Sequence, residues 1–350
     1  MAADADRGRH RRNEAGELVH PALLYADNDA YIAETVPFLR EGAEAGEPVM
    51  MAAPPAKLDL VRQALGPVAS EVTFHDMTLS GRNPGRIIGG VLRAFADEHP
   101  DTRVRIIGEP IWAGRSPAEY TAAVQHEALI NVALADRPAT ILCPYDVTAL
   151  DATTIADAAR THPVLVEGGT SFRSDQYNDP VELAQCFSSR LAESAELGET
   201  LVFDAPGGPR AVRLAVAEHA LRAGLDEDRV ADLCLAAYEV AVNTVLHTGR
   251  PGLLAVWTRG RGSPAAEPPA VVCEIQDRGW IADPLVGRHG CGPAEGGGYG
   301  LHLVNELCDL VQVHSDPSLG TTVRMTMRLA DPSPSPSHHG PGRRPSRHPR

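Results

Sequence analysis

Between residues 18 and 165 short apolar runs alternate with longer amphipathic stretches. The runs at 22–25, 48–52, 72–75, 104–107 and 140–142 are aliphatic or β-branched and bounded by turn-forming residues, so they read as short buried strands. Helical periodicity falls between them, near 29–44, 56–65, 84–98, 117–135 and 151–160. Strands alternating with helices predict a parallel sheet flanked by helices. Ligands of such sheets lie beyond the carboxyl ends of the strands. The polar residues expected there are His75, Asp76, Glu109 and the run Cys143-Pro144-Tyr145-Asp146. The alternation stops at 163–180, where Gly168-Gly169 and Asn178-Asp179-Pro180 read as a linker.

The second half carries a different pattern. From Tyr238 to Gly249 the chain is mostly aliphatic, yet Glu239, Asn243 and His247 recur every four residues. On a helix that spacing stacks the three on one face. A carboxylate, a carboxamide and an imidazole in line are costly to bury without partners, so the face is expected to hold something polar. Residues 271–275 form a β-branched run, a buried strand that leads into Gln276-Asp277-Arg278-Gly279. A loop at 261–269 precedes it, hairpin-like, between two strands. A Gly-rich stretch from Gly290 to Gly300 then opens into the helical pattern 301–309. Glycines allow close backbone approach to an anion, and a helix N-terminus attracts one, so this is phosphate chemistry. Gly320-Thr321-Thr322 begins a last alternating strand, 323–329.

Composition narrows the classes. The 350 residues fit two domains, and 43% hydrophobic content supports two cores. A net charge of −14 argues against nucleic acid as a partner. Six cysteines occur with no Cys-x2-Cys pair, so the spacing suggests neither zinc nor a disulfide framework; they read as small core residues in a reducing compartment. No apolar run has membrane-spanning length, and the Arg-rich start lacks the apolar stretch of a signal peptide, so a cytoplasmic location is expected. Residues 1–17 and the Pro/Arg-rich 331–350 have the composition of disordered ends. The chain has one lysine, Lys57, and no P-loop or protein-kinase signature.

In their order, the Asn-bearing helix, the strand–Asp–x–Gly, the Gly-rich lid and the closing Gly-Thr strand resemble the GHKL ATP-binding fold. The resemblance covers about 195–330. Within that superfamily the unbroken Glu-x3-Asn-x3-His helix most resembles the anti-sigma-factor serine kinases. It implies a Bergerat-type α/β sandwich that binds ATP and Mg2+. By position, Asn243 matches the Mg2+-holding asparagine, Glu239 the general base, and Asp277 the acceptor of the adenine amino group. Gly279 passes beneath the base, Gly296, Gly298 and Gly300 match the phosphate lid, and Thr321 helps hold adenine. His247 extends the helix toward the nucleotide. Trp280 and Ile281 stand where many members have a second glycine.

The first half resembles the MEDS (methanogen/methylotroph) sensory domain over about 18–165. The match is carried by His20-Pro21-Ala22-Leu23-Leu24-Tyr25, by Phe38-Leu39-Arg40-Glu41-Gly42 with Gly46-Glu47-Pro48-Val49, by Gly108-Glu109-Pro110-Ile111-Trp112 and by His126-Glu127-Ala128-Leu129-Ile130-Asn131. That implies a RecA-like parallel-sheet sensor without a P-loop, followed by a linker and connecting helix at 166–194. Tyr25, Glu47, Glu109, Trp112 and Tyr145 are its candidate pocket residues. The pairing resembles actinobacterial-type anti-sigma regulatory proteins. Three functions remain open at this stage: a serine/threonine kinase acting on an anti-sigma antagonist under sensory control, an ATP-dependent module sequestering a sigma factor or antagonist, and a GHKL ATPase. Homodimerisation is left open.

Overall fold

The computed structural model describes residues 17–188, 198–204, 207–260, 267–289 and 299–329. The first sheet has seven strands: β1 (Pro21–Tyr25), β2 (Val49–Ala53), β3 (Val72–Asp76), β4 (Val104–Gly108), β5 (Ala139–Asp146), β6 (Val164–Glu167) and β7 (Thr170–Arg173). Their order is β3-β2-β4-β5-β1-β6-β7, parallel throughout except for the β6–β7 pair. Side chains alternate across a strand, so each strand feeds two cores. Met50, Ala52, Ile106, Ile141 and Cys143 face one core; Leu23, Val49, Met51, Ile107 and Leu142 face the other.

Helices close both faces. α1 (Asn28–Glu44) and α2 (Pro55–Leu65) cover the second core with Tyr31, Leu39, Leu58 and Leu65. The first core is covered by the stretch around α4 (Ala94–Asp97), by α5 (Pro117–Ala133), α6 (Ala152–Thr161) and α7 (Pro180–Phe187). The short α3 (Met77–Ser80) follows β3, capped by Asp76. α5 starts at a capping box in which Ser116 and Glu119 satisfy each other's backbone donors.

Three local readings change. The helix expected at 84–98 is a 3-10 turn at Pro84–Arg86, a π-helical stretch at Ile88–Arg93 and then α4. Gly85, Gly89 and Gly90 make this segment thin, and it is pressed against the other domain. β5 runs four residues past its expected end, so Cys143 lies within the strand and not at its tip. The strand carries on through Pro144 because β4 pairs β5 only as far as Leu142, so the missing N–H costs no ladder bond on that side. The stretch read as a linker at 163–180 contains β6 and β7, a hairpin turning at Gly168-Gly169 with both φ positive, and the start of α7.

The second domain is a two-layer sandwich. Its sheet is antiparallel, β11 (Leu310–Asp316), β12 (Gly320–Arg328), β10 (Ala270–Asp277), β9 (Gly252–Arg259) and β8 (Glu199–Phe203) in that order. α8 (Gly208–Arg222), α9 (Glu227–Thr248) and α10 (Tyr299–Leu307) cover one face around Val216, Leu233, Ala237, Ile275, Val304 and Met325. On the opposite face Arg324 forks onto Glu274 at 2.6 and 2.7 Å and stacks over Trp257. α9 is the one described helix long and apolar enough to cross a membrane, and here it is the core helix of the sandwich.

The domains touch through α10 and its flanks. Arg86 pairs with Glu306 at 2.8 Å, Arg82 with Asp309 at 3.4 Å, and Asn83 bonds Asn305. Arg328 pairs with Glu119 on α5. Gly85 and Gly90 make the approach possible, because a methyl group there would meet Asn305 Oδ1 at 2.2 Å and Glu306 Oε1 at 3.0 Å.

Candidate functional site

α9 is anchored at both ends. Asp226 caps its start by accepting from the Arg229 N–H, and Gly249 ends it in the left-handed conformation (φ 60°). Its inner face, including Val240, Ala241 and Thr244, is buried, and Glu239, Asn243 and His247 run along the flank. Asn243 is half-buried and His247 is exposed at the rim; both line a cavity of about 640 Å³.

The floor of that cavity is the end of β10. Asp277 is opposite Thr321 in the β10–β12 register. Its carboxylate is fixed on both oxygens: the Thr244 hydroxyl donates to Oδ2 at 2.7 Å and the Gly279 N–H to Oδ1 at 2.7 Å. Each oxygen keeps a further lone pair, so the group still accepts a donor from a ligand. Gly279 lines the cavity, and a methyl group there would lie 2.9 Å from Thr248 Cγ2. Gly320, at φ 99°, lets the hairpin cross the Asp277 backbone; an added methyl would fall 2.1 Å from the Asp277 carbonyl.

A hydroxyl relay locks the next turn. The Ile281 N–H donates to Ser315 Oγ at 2.8 Å, Ser315 Oγ lies 2.7 Å from Thr321 Oγ1, and the Thr321 hydroxyl donates to the Gly279 carbonyl at 3.0 Å. Thr321 therefore orients the Asp–x–Gly turn from beneath. Trp280, 59% exposed, and Ile281 occupy the cavity wall at the place where a second glycine was expected.

Gly300 lies in the first turn of α10. A methyl group on it would lie 3.0 Å from Glu239 Oε2 and 3.3 Å from Asn243 Nδ2. The backbone at the foot of the Gly-rich stretch thus closes directly onto both α9 side chains. Gly296 and Gly298 lie outside the described residues. Thr244 and Ser315 were missed by sequence reasoning. Thr244 follows Asn243 and turns one residue further into the sandwich; Ser315 is an ordinary strand residue until pairing brings it opposite Thr321.

The residue types suit a magnesium nucleotide. An aspartate stands at the apolar end, and a carboxamide and a carboxylate at the other, where an added methyl on Gly300 would crowd both; this donor set suits a base at one end and a charged phosphate group at the other.

The first domain places its candidates unequally. Tyr25 and Tyr31 hydroxyls donate to the two oxygens of buried Glu109 at 3.1 and 3.0 Å, and Lys57 Nζ lies 4.5 Å from both ring centroids. Burial pushes the Glu109 carboxyl up to about 7, against the tyrosines and Lys57 that pull it down. These residues gather at the carboxyl ends of β1 and β4. Glu47 lies at the other end of the sheet, before β2, and binds Arg105 at 2.6 Å, so it is a structural ion pair and not a pocket residue. Trp112 stacks under Arg115 at 3.9 Å. Tyr145 is buried with its ring edge-on to His162. Asp76 and Asp146 cap the turns at Thr78 and Thr148, and His75 is half-buried on β3.

Two family models match the chain. One, described as a histidine kinase-like ATPase domain, matches residues 205–327. The other, MEDS, the methanogen/methylotroph, DcmR sensory domain, matches 19–163. No curated protein matches. Domains of the ATPase class bind ATP, usually with Mg2+.

Proposed function

We propose that this chain, a MEDS sensory domain joined to a histidine-kinase-like ATPase domain, is a regulatory serine/threonine kinase of the anti-sigma type. It transfers the γ-phosphate of ATP to a protein partner, an antagonist of an anti-sigma factor. The observation that carries the reading is the closure of Gly300 onto Glu239 and Asn243, the latter lining the cavity floored by Asp277. In this assignment Asp277 accepts from the adenine amino group, Thr321 holds its turn, and Gly279 lies beneath the ring. Asn243 binds Mg2+, which when present neutralises charge on the triphosphate. Glu239 stands at the transferring end as the base that takes the hydroxyl proton of the partner's serine or threonine. His247 extends the same face to the rim.

Sensory control is assigned to α10. Its first turn carries Gly300, and its last turns carry Asn305, Glu306 and the adjoining Asp309, which face Asn83, Arg86 and Arg82. A change in the sensory domain therefore reaches the phosphate end through one rigid element two to three turns long.

The test is incubation of the full chain with labelled ATP-Mg2+ and a candidate antagonist protein. Label on the partner's serine or threonine supports the reading. Tight nucleotide binding with neither transfer nor phosphate release favours a switch that only sequesters its partner. Phosphate release without a partner favours an ATPase.

A further inference from the structure

His20, Glu127, Cys143 and His162 converge in the core of the sensory domain. They come from four elements: the residue before β1, the inner face of α5, the middle of β5 and the residue closing α6. None is more than 1% exposed. One ligand atom from each lies within 4.8 Å of the other three. His20 Nε2 is 3.3 Å from Cys143 Sγ and 3.4 Å from Glu127 Oε2, and His162 Nε2 is 3.1 Å from the same oxygen. Zinc–ligand bonds of about 2.0–2.3 Å in a tetrahedron give ligand–ligand edges of roughly 3.3–3.6 Å.

Hydrogen bonding at the far side of each ring sets its orientation. His162 Nδ1 lies 2.9 Å from the Ala158 carbonyl, which only accepts, so Nδ1 carries a hydrogen. His20 Nδ1 lies 3.1 Å from Asn131 Oδ1. The Asn131 amide nitrogen donates to the Ala128 and Thr161 carbonyls, so its oxygen must face His20 and accept. In the neutral rings both Nε2 lone pairs then point at the Glu127 carboxylate. In that neutral state neither ring donates to Glu127, and these atoms are sealed from solvent; only charged rings would pair with the carboxylate, at 3.4 and 3.1 Å. A buried carboxylate facing two imidazole lone pairs is an expensive arrangement by itself. A cation at the centre turns those lone pairs, the carboxylate and the Cys143 sulfur, once deprotonated, into ligands.

We propose that His20, Glu127, Cys143 and His162 form a closed site for one divalent cation of the zinc class. Two imidazoles, a carboxylate and a thiolate are a set for zinc or its neighbours and not for magnesium or calcium. Four protein ligands leave no open position, so the ion's role is to tie β1, β5, α5 and α6 together. Asn131 and the Ala158 carbonyl are the outer supports that orient the imidazoles. The site is separate from the nucleotide cavity, which lies in the other domain and offers no sulfur. Cysteine spacing gave no hint of it, because the four ligands are contributed singly by distant elements.

The test uses the full chain, stripped with a chelator and reloaded with Zn2+ alone or Co2+ alone. The expected result is one tightly held ion per chain, a raised unfolding temperature, and, for Co2+, the intense visible bands of four-coordinate cobalt with a near-ultraviolet thiolate charge-transfer band. Cys143→Ser should lose that band and bind at least tenfold more weakly, and Glu127→Gln should weaken binding by a similar factor. Failure of the full chain to take up one equivalent of either ion overturns the proposal. So does a charge-transfer band that survives in Cys143→Ser, which would assign the sulfur to another cysteine of the chain. If the variants do not fold, the wild-type cobalt spectrum decides: six-coordinate bands without thiolate absorption overturn the proposal.

Discussion

Asn83 and Asn305 clasp each other across the boundary between the two domains. The Asn83 amide donates to the Asn305 main-chain carbonyl at 2.8 Å and to its side-chain oxygen at 3.1 Å. Asn305 donates in turn to the Gly287 carbonyl at 3.1 Å, and Asn83 Oδ1 accepts from the Gly85 N–H. Both side chains are buried. Asn83→Ala leaves buried carbonyl and amide groups without partners, an expected loss of about 1–3 kcal/mol in chemical denaturation. Combined with Asn305→Ala, the effects should be non-additive, and both single variants should shift ATP affinity in the full chain. Additive losses with unchanged affinity would dissociate this contact from control of the nucleotide site.

Asp277→Ala removes the acceptor proposed for adenine and also the acceptor of Thr244 and Gly279. A hydrogen bond to a charged group contributes about 1.5–3 kcal/mol, so nucleotide affinity should fall roughly 10–100-fold by calorimetry. Thr321→Val keeps the side-chain volume but cuts the relay from Ser315 to the Gly279 carbonyl, and should give a smaller loss. Equal losses would place Thr321 against the nucleotide itself.

Asn243→Ala should abolish Mg-ATP binding, and Glu239→Ala should leave binding intact while transfer falls on the order of 10²–10⁴-fold. Gly300→Ala offers an independent check, because its methyl would press on Glu239 and Asn243 together. It should reduce transfer without unfolding the sandwich, as read by circular dichroism. Transfer that persists in Glu239→Ala would remove this residue from the role of base.

Glu109 makes the sensory domain pH-dependent. Its carboxyl is held up to about 7 in the folded state against an ordinary value of 4.5. Between those values the folded protein keeps a proton that the unfolded chain has released. The stability contribution is therefore complete at low pH, falls as pH rises toward 7 and is flat above it. The fall is on the order of 3 kcal/mol. Denaturation midpoints at pH 5 and pH 8 should differ more in the wild type than in Glu109→Gln. Parallel behaviour of the two proteins would show that Glu109 does not titrate between them.

The strands and most helices of the first domain were legible because aliphatic runs and amphipathic stretches alternate cleanly there. Pro144 obscured the length of β5, since a proline reads as a stop unless the neighbouring strand has already ended. The β6–β7 hairpin hid behind Gly168-Gly169, which signals a turn but not whether strands flank it. In the second domain order and spacing singled out Glu239, Asn243, Asp277 and Thr321, and the structure brings the last three to one cavity with Glu239 beside Asn243. Thr244 and Ser315 were not singled out, because their partners are 33 and 6 residues away and meet only after the sheet pairs. The metal-ligand cluster was equally invisible, since His20 and His162 are separated by the whole domain.

Trp280, Ile281, Ala282, Val286 and Leu301 line the cavity floored by Asp277 and also a smaller void of about 90 Å³ whose far wall is Gln125, Leu129, Ala184, Gln185 and Ser188 of the sensory domain. Protein engineers who exchange the amino-terminal module at the segment joining the domains would leave this stretch facing a foreign wall. A chimaera that is to stay regulated must transplant 280–288 and the outer side of α10 along with the new module. The two units follow one another in sequence but are not interchangeable parts.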